Sequence, residues 1–216
     1  MATRKPAEIR RDQARTRLAR AAVIDAAQRL FLERGYGATT IEVISRLADV
    51  PPATVYRLFS SKHGILKALL DRSIVGDDAD VPMAERPQVR ALFAARDPAV
   101  QLAGLVAVVA QVNASIGPLY RVLVSAAGND ADAAALLDTL TVQRQQGQRR
   151  IARSLARAGA LQAGLRERDA ADIIHALLSP ELYRLLVVDR GWKTERYQAW
   201  LTTTLVDQLL PRTPPT

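Results

Sequence analysis

Residues 39–62 read TTIEVISRLADVPPATVYRLFSSK, and this stretch sets the architecture. Ile41, Ile44, Leu47 and Ala48 recur at three- and four-residue steps, which predicts a helix of about two turns with that stripe facing inward. Thr39 and Glu42 stand at capping-box spacing, a hydroxyl closing one orphan donor while a carboxylate reaches back to another. Asp49 tolerates a left-handed backbone better than most residues, which suits a sharp exit from the helix. Pro52 cannot continue a helix but is preorganised for the first turn of a new one. A second short helix is therefore expected over Pro52–Phe59, with Val55 and Leu58 inward, and Ser60-Ser61 supplies the N-cap of the next. Two short helices joined through Ala48-Asp49-Val50-Pro51 have the layout of a helix-turn-helix, whose second helix enters the DNA major groove.

Working outward, Leu18, Ala22, Val23, Ala26, Ala27, Leu30 and Phe31 predict a helix from Thr16 that ends at Gly35, a residue suited to a left-handed C-cap. A further helix is expected from Lys62 to Val75 through Ile65, Leu66, Leu69 and Leu70. Residues 1–15 are polar and charged and read as a flexible basic arm. Gly76 to Pro82 reads as a boundary. Beyond it the pattern stays helical, over Pro87–Ala95, Pro98–Ile116, Pro118–Ala127, Asp130–Ala158, Asp169–Asp189 and Thr194–Leu210. No segment alternates with period two. The expected division is an arm (1–15), a helix-turn-helix domain (16–75), a larger helical domain (76–210) and a tail (211–216), all-α throughout.

Charge follows that division. The 216 residues hold 30 Lys/Arg and 22 Asp/Glu, a net charge of +8, and residues 1–75 alone hold 14 basic and 7 acidic side chains. Nearly all the excess sits in the first third, which points to a module that meets a polyanion and a near-neutral remainder. There is no cysteine, which excludes disulfides, thiolate metal sites and thiol redox chemistry. The two histidines, His63 and His175, are far apart in sequence, so no metal or triad signature is present and the pattern argues against an enzyme. No apolar run approaches the ~18–20 residues of a membrane span. The N-terminus lacks the apolar segment of a secretory signal, and the expected setting is cytoplasmic.

The run RLFLERGYGATTIEVISRLADVPPATVYRLFSSKHGILKALL, with Phe31, Gly35-Tyr36, Thr39-Thr40-Ile41, Ile44, Val50, Thr54-Val55-Tyr56, Phe59 and Ser61-Lys62 as its signature positions, resembles the DNA-binding domain of TetR-family transcriptional regulators. The resemblance covers about residues 16–75. It implies DNA contacts from Thr39 and Thr40 at the start of the first short helix and from Pro52, Ala53, Thr54 and Tyr56 on the recognition helix. Lys62 would meet a phosphate at the N-terminus of the following helix. Arg46 and Arg57 are further candidates, and Arg10, Arg11, Arg15 and Arg17 of the arm would add phosphate or minor-groove contacts. Two departures stand out: Asp49 replaces the usual glycine of the turn, and Pro51-Pro52 replaces a polar cap and a polar base reader. Base readout then rests on Thr54 and apolar contact.

For residues 76–216 the resemblance implies a domain that binds a small molecule and dimerises. Candidate pocket residues are Leu105, Val109, Val112, Ile116, Tyr120, Leu123, Arg144 and His175, with Gln111, Asn113, Ser115 and Arg121 as further polar candidates. Residues 176–210 resemble the last two helices of many family members, which implies a dimer interface through Leu182, Leu185, Leu186, Trp200, Leu201, Leu205 and Leu209. Ser179-Pro180 marks a kink or restart. Arg149, Arg150, Arg153 and Arg157 read as a solvated face.

The function that follows is a homodimeric, ligand-responsive regulator, a repressor of a palindromic operator released by an unidentified small-molecule effector. No cofactor, metal or membrane partner is expected. An activator or corepressor-dependent regulator of the same fold is the alternative. A basic protein that coats DNA or anionic membranes without sequence preference is a third reading, distinguished by uniform affinity across DNA sequences.

Overall fold

Proline, glycine and aspartate punctuate the described residues into ten α-helices and one π-helical turn. The computed structural model describes residues 6–75 and 85–211, and among these residues every regular element is helical. The elements are α1 (Pro6–Arg34), α2 (Ile41–Ala48), α3 (Pro52–Phe59), α4 (Lys62–Val75), α5 (Pro87–Ala94), α6 (Pro98–Ala127), α7 (Ala131–Arg157), α8 (Glu167–Leu177), α9 (Pro180–Tyr183), the π-helical turn Arg184–Asp189 and α10 (Thr194–Leu209).

The chain divides into two units. The first comprises residues 1–72 and 118–137, and the second residues 73–117 and 138–216. The chain crosses between the units after Arg72, after Gly117 and after Leu137. The segment 118–137, the second part of α6 and the first part of α7, belongs with the N-terminal unit.

In the first unit, Val23, Ala27, Leu30 and Phe31 of α1, Ile44 of α2, Val55 and Phe59 of α3, and Ile65, Leu66, Leu69 and Leu70 of α4 are buried. Each such Leu, Ile, Val or Phe contributes roughly 1.5–3 kcal/mol of burial free energy. Arg72 fixes the far end of α4 to α1, donating to Asp25 Oδ1 at 2.8 Å and to Gln28 Oε1 at 3.0 Å. Gly35 ends α1 at φ 77°, a left-handed conformation that glycine adopts without a Cβ penalty.

Three expectations change here. Residues 6–15 are a continuation of α1 rather than a flexible arm, while residues 1–5 lie outside the described residues. Leu18 is exposed, so the buried stripe of α1 begins at Val23. Leu47 is exposed too, and Ser45 takes the inward position on α2.

The core of the second unit gathers Leu102, Val106 and Ala110 of α6, Ile151, Ala152 and Leu155 of α7, Ala170 and Ile174 of α8, Tyr183 of α9, and Tyr197, Leu201, Leu205 and Leu209 of α10. Ser179 restarts the chain as expected: its hydroxyl accepts from the Leu182 N–H at 3.1 Å, with Pro180 in the first turn of α9. Helix α6 departs from expectation, because it runs unbroken through Gly117-Pro118. A proline inside a helix costs about 3 kcal/mol, and here both flanking stretches are anchored, by Leu102, Leu105 and Val106 on one side and by Leu119 and Leu123 on the other. The unbroken helix is long and apolar enough to cross a membrane by length and composition. Its inward residues nevertheless build protein core. Its buried polar side chains are bonded within the second unit, Gln101 to the Leu92 carbonyl and Ser154 Oγ, and Asn113 to the Leu178 carbonyl.

Candidate nucleic-acid interface

The turn between α2 and α3 is held from inside. Ser45 Oγ donates to the Val50 carbonyl at 2.6 Å, and the Ser45 carbonyl accepts from Val50 N–H at 3.1 Å and from Asp49 N–H. Asp49 takes φ 52° and ψ 41°, the left-handed conformation expected of it. Pro51 then presents its carbonyl to Thr54 N–H (2.9 Å) and Val55 N–H (3.1 Å), opening α3 with Pro52 in its first turn. Val55 and Phe59 face the core, so the opposite side of α3 is fixed by default. That side carries Pro52, Ala53, Tyr56 and Arg57, all exposed, with Thr54 half-buried at its edge; Tyr56 is 47% exposed. A pair of short helices with a rigid turn and an outward tyrosine and arginine has the form of a groove reader.

The other contact candidates divide. The Thr40 hydroxyl caps α2 by accepting from Val43 N–H at 3.3 Å, and the residue is exposed. Backbone hydrogen bonding and the Thr40 hydroxyl hold the Glu42 carboxyl below its ordinary range. The cap is thus one residue later than the spacing predicts. Thr39 is fully buried and donates its hydroxyl to the Gly35 carbonyl at 2.8 Å, which leaves it no surface for DNA. Arg46 and Arg57 are exposed and make no ion pair among the described residues. Arg15 and Arg17 are exposed on α1, and the side chains of Arg10 and Arg11 lie outside the described residues.

Lys62 is half-buried against Tyr36. Its Nζ donates to the Tyr36 carbonyl at 2.9 Å and sits 4.0 Å from the centre of the Tyr36 ring. Burial lowers its pKa and Asp130 partly restores it. The ammonium retains two further donors. Tyr36 itself was not foreseen as part of this site. Burial, with Asp130 and Asp132 adding to it, pushes its phenol up to about 12. Behind Lys62, α4 passes so close to the end of α3 that a Cβ on Gly64 would stand 2.0 Å from the Phe59 carbonyl oxygen, which explains glycine at that position.

In the second unit the structure brings Arg144 and His175 together and adds Gln148, which sequence reasoning missed although it lies one helical turn from Arg144. His175 Nδ1 is 2.6 Å from Gln148 Oε1, and Arg144 Nη2 is 3.3 Å from His175 Nε2. Leu105 and Ile116 are buried, Val109 packs on the core of this unit and Val112 is half-buried. Tyr120 and Leu123 fall in the segment assigned to the first unit, whereas the other pocket candidates are assigned to the second. Leu201, Leu205 and Leu209 are fully enclosed by their own chain, so they have no surface to give a second copy. Their regular spacing marks the inward stripe of α10. Leu182 and Leu186 are half-buried, while Leu185 and Trp200 remain exposed.

Comparison with known proteins agrees with this geometry. Residues 23–69 match the model of the bacterial regulatory proteins of the tetR family. The chain is 42% identical over 50 residues to the uncharacterized HTH-type transcriptional regulator YvkB of Bacillus subtilis, covering 23% of this chain and 26% of that one. It is 38% identical over 63 residues to the HTH-type transcriptional regulator TtgR of Pseudomonas putida, covering 29% and 30%. These curated relatives are thus matched over less than a third of their lengths. Among solved structures, the SmeT–triclosan complex superposes with a TM-score of 0.68 at 19% identity, over 92% of this chain and 97% of that one. NalD of Pseudomonas aeruginosa, described as the secondary repressor of the MexAB-OprM multidrug efflux pump, gives 0.66 at 20% identity, over 90% and 98%. With its helix-turn-helix closed from within and its outward face on α3, the segment 23–69 is similar to the matching region of the bacterial regulatory proteins of the tetR family.

Proposed function

We propose that the protein is a homodimeric, ligand-responsive repressor that binds a palindromic operator and leaves it when a small molecule binds the second unit. The observation that carries this reading is the outward face of α3, where Pro52, Ala53, Tyr56 and Arg57 stand exposed on a turn locked by Ser45. One two-turn helix reaches few base pairs, and two such helices about one DNA turn (~34–36 Å) apart read a palindrome. Dimerisation is further supported by apolar side chains left open near the C-terminus: Leu185, Val188 and Trp200 are 47%, 58% and 36% exposed. Repression and ligand response draw support from NalD, a repressor, and from SmeT, solved with triclosan. The DNA partner implies a cytoplasmic setting. Effector binding acts by favouring a conformation of lower operator affinity, a shift limited to the difference in effector affinity between the two states.

Selection of bound DNA from a random pool by the full-length protein tests this reading. Enrichment of a palindrome is the expected result, and uniform retention of all sequences overturns it. On the selected site, Tyr56→Phe combined with Arg57→Ala lowers affinity by about 1–3 kcal/mol with the helical spectrum unchanged. Trp200→Glu shifts the sedimenting mass towards monomer; an intact dimer removes Trp200 from the interface.

A further inference from the structure

The buried polar side chains of the second unit are not all satisfied. Gln101 and Asn113 reach backbone carbonyls. The cluster of Arg144, Gln148 and His175 behaves differently. A guanidinium only donates, so the contact of Arg144 Nη2 with His175 Nε2 makes Nε2 the acceptor. His175 is then neutral with its proton on Nδ1, and that proton is donated to Gln148 Oε1. The orientation of the Gln148 amide is fixed by the same logic, with its oxygen on the imidazole and its NH2 turned away. Burial and Arg144 both hold the imidazole below its ordinary pKa, which agrees with a neutral ring.

Two donors are left over. Gln148 is 4% exposed and its Nε2 has no hydrogen-bond partner, and Arg144 Nη1 is likewise buried without one. Arg144 also has no ion-pair partner among the described residues. A buried donor left unpaired costs about 1–3 kcal/mol, more when charged. An arrangement that spends one imidazole on orienting two donors and then leaves both open calls for an acceptor from outside the chain.

We propose that Arg144 and Gln148, held in place by His175, receive the carboxylate of a small amphipathic organic acid. One guanidinium and one neutral amide balance a single negative charge, whereas a phosphate dianion would leave a buried charge uncompensated. Ile151, Ala152, Ala171, Ile174 and Leu178, buried on and beside the two helices that carry the cluster, make the surroundings apolar, which suits a hydrocarbon body behind the carboxylate. The two carboxylates that act on His175 in the opposite sense, Asp172 and Glu181, are both on exposed residues, where solvent screens them. This inference rests on the reading of the second unit as the sensing unit and names the class of molecule it senses.

The test is calorimetric titration of the full-length protein with octanoate, octan-1-ol and octylamine, which share one apolar chain and differ in the head group. Octanoate is expected to bind at least about tenfold more tightly than octan-1-ol, and octylamine more weakly than either. Arg144→Met should remove the preference for octanoate over octan-1-ol, and Gln148→Met should reduce that preference by a smaller factor. Circular dichroism establishes that each variant folds; if Arg144→Met does not, Arg144→Lys, which keeps the charge and loses the fork, should retain only part of the preference. Equal binding of octanoate and octan-1-ol, an Arg144→Met protein that still prefers octanoate, or no binding of any straight-chain carboxylate from butyrate to dodecanoate overturns the proposal and leaves water as the partner of both donors. Operator binding separates the two readings. Release of the selected operator by octan-1-ol, independent of Arg144, overturns the carboxylate site and leaves the ligand-responsive regulator standing. Tight octanoate binding with no change in operator occupancy keeps the site and overturns its regulatory role.

Discussion

The helix-turn-helix and the Arg144–His175–Gln148 cluster treat buried polar groups in opposite ways. Between Thr39 and Lys62, the buried hydroxyls of the turn are closed on backbone: Thr39 on the Gly35 carbonyl and Ser45 on the Val50 carbonyl. In the second unit, Arg144 Nη1 and Gln148 Nε2 stay open. The proposed roles account for the difference. A groove reader acts through its outer face and needs a rigid interior, because the helix must hold its side chains in place before it meets DNA. A sensing site acts through its interior, and donors that are satisfied before the ligand arrives have nothing to offer it.

Three changes press on that contrast. The largest effect is expected from Ile44→Ala, which empties a fully buried position behind the turn. Such truncations cost about 2–5 kcal/mol, measurable as a lower midpoint in chemical denaturation. A cost well under 1 kcal/mol would mean that the reader is not rigidly packed. Next comes Thr39→Val, which keeps the volume and removes the buried hydroxyl. Stability should fall by about 1 kcal/mol and affinity for the operator should stay the same. A folded variant with weakened DNA binding would return Thr39 to the interface.

The smallest effect is a pH dependence from His175. Its pKa is lowered in the folded protein from an ordinary value of 6.5, so the unfolded chain binds the proton first. Stability contributed by the neutral imidazole is present above that value and declines as pH falls through 6.5 and below. His175→Gln should flatten that part of the profile in thermal unfolding. An unchanged slope would show that the imidazole is not held neutral by Arg144 and its burial.

Much of the first unit was legible because its signals are local. Gly35 ends α1, Asp49 turns left-handed and Pro52 opens α3, each for a reason carried by one residue's own backbone preferences. Errors arose where two adjacent residues offer the same chemistry. Thr39 and Thr40 are both able to cap a helix, and only the packing of Thr39 beneath the Gly35 carbonyl decides that Thr40 does so. The C-terminal stripe failed for a related reason. Leu201, Leu205 and Leu209 have the spacing of a buried face, but periodicity does not say whether a neighbouring helix or a second chain buries it. Gln148 gave no signal of its own, since a glutamine on a charged helix is ordinary until a histidine 27 residues later in the chain folds against it.

The sequence by itself determined that the chain is helical, where most helices start and stop, that positive charge gathers in the first third, and that residues 39–62 have the layout of a helix-turn-helix. All of these rest on backbone preference, side-chain periodicity and composition, which act over a few residues. Only the tertiary structure decided that α6 runs through Gly117-Pro118, that residues 118–137 belong with the N-terminal unit, that Thr39 and the leucines of α10 face inward, and that Arg144 and Gln148 meet across His175 with donors to spare. Those outcomes depend on partners distant in sequence, and the free energy of burial and of hydrogen-bond satisfaction that selects them exists only once the helices have packed.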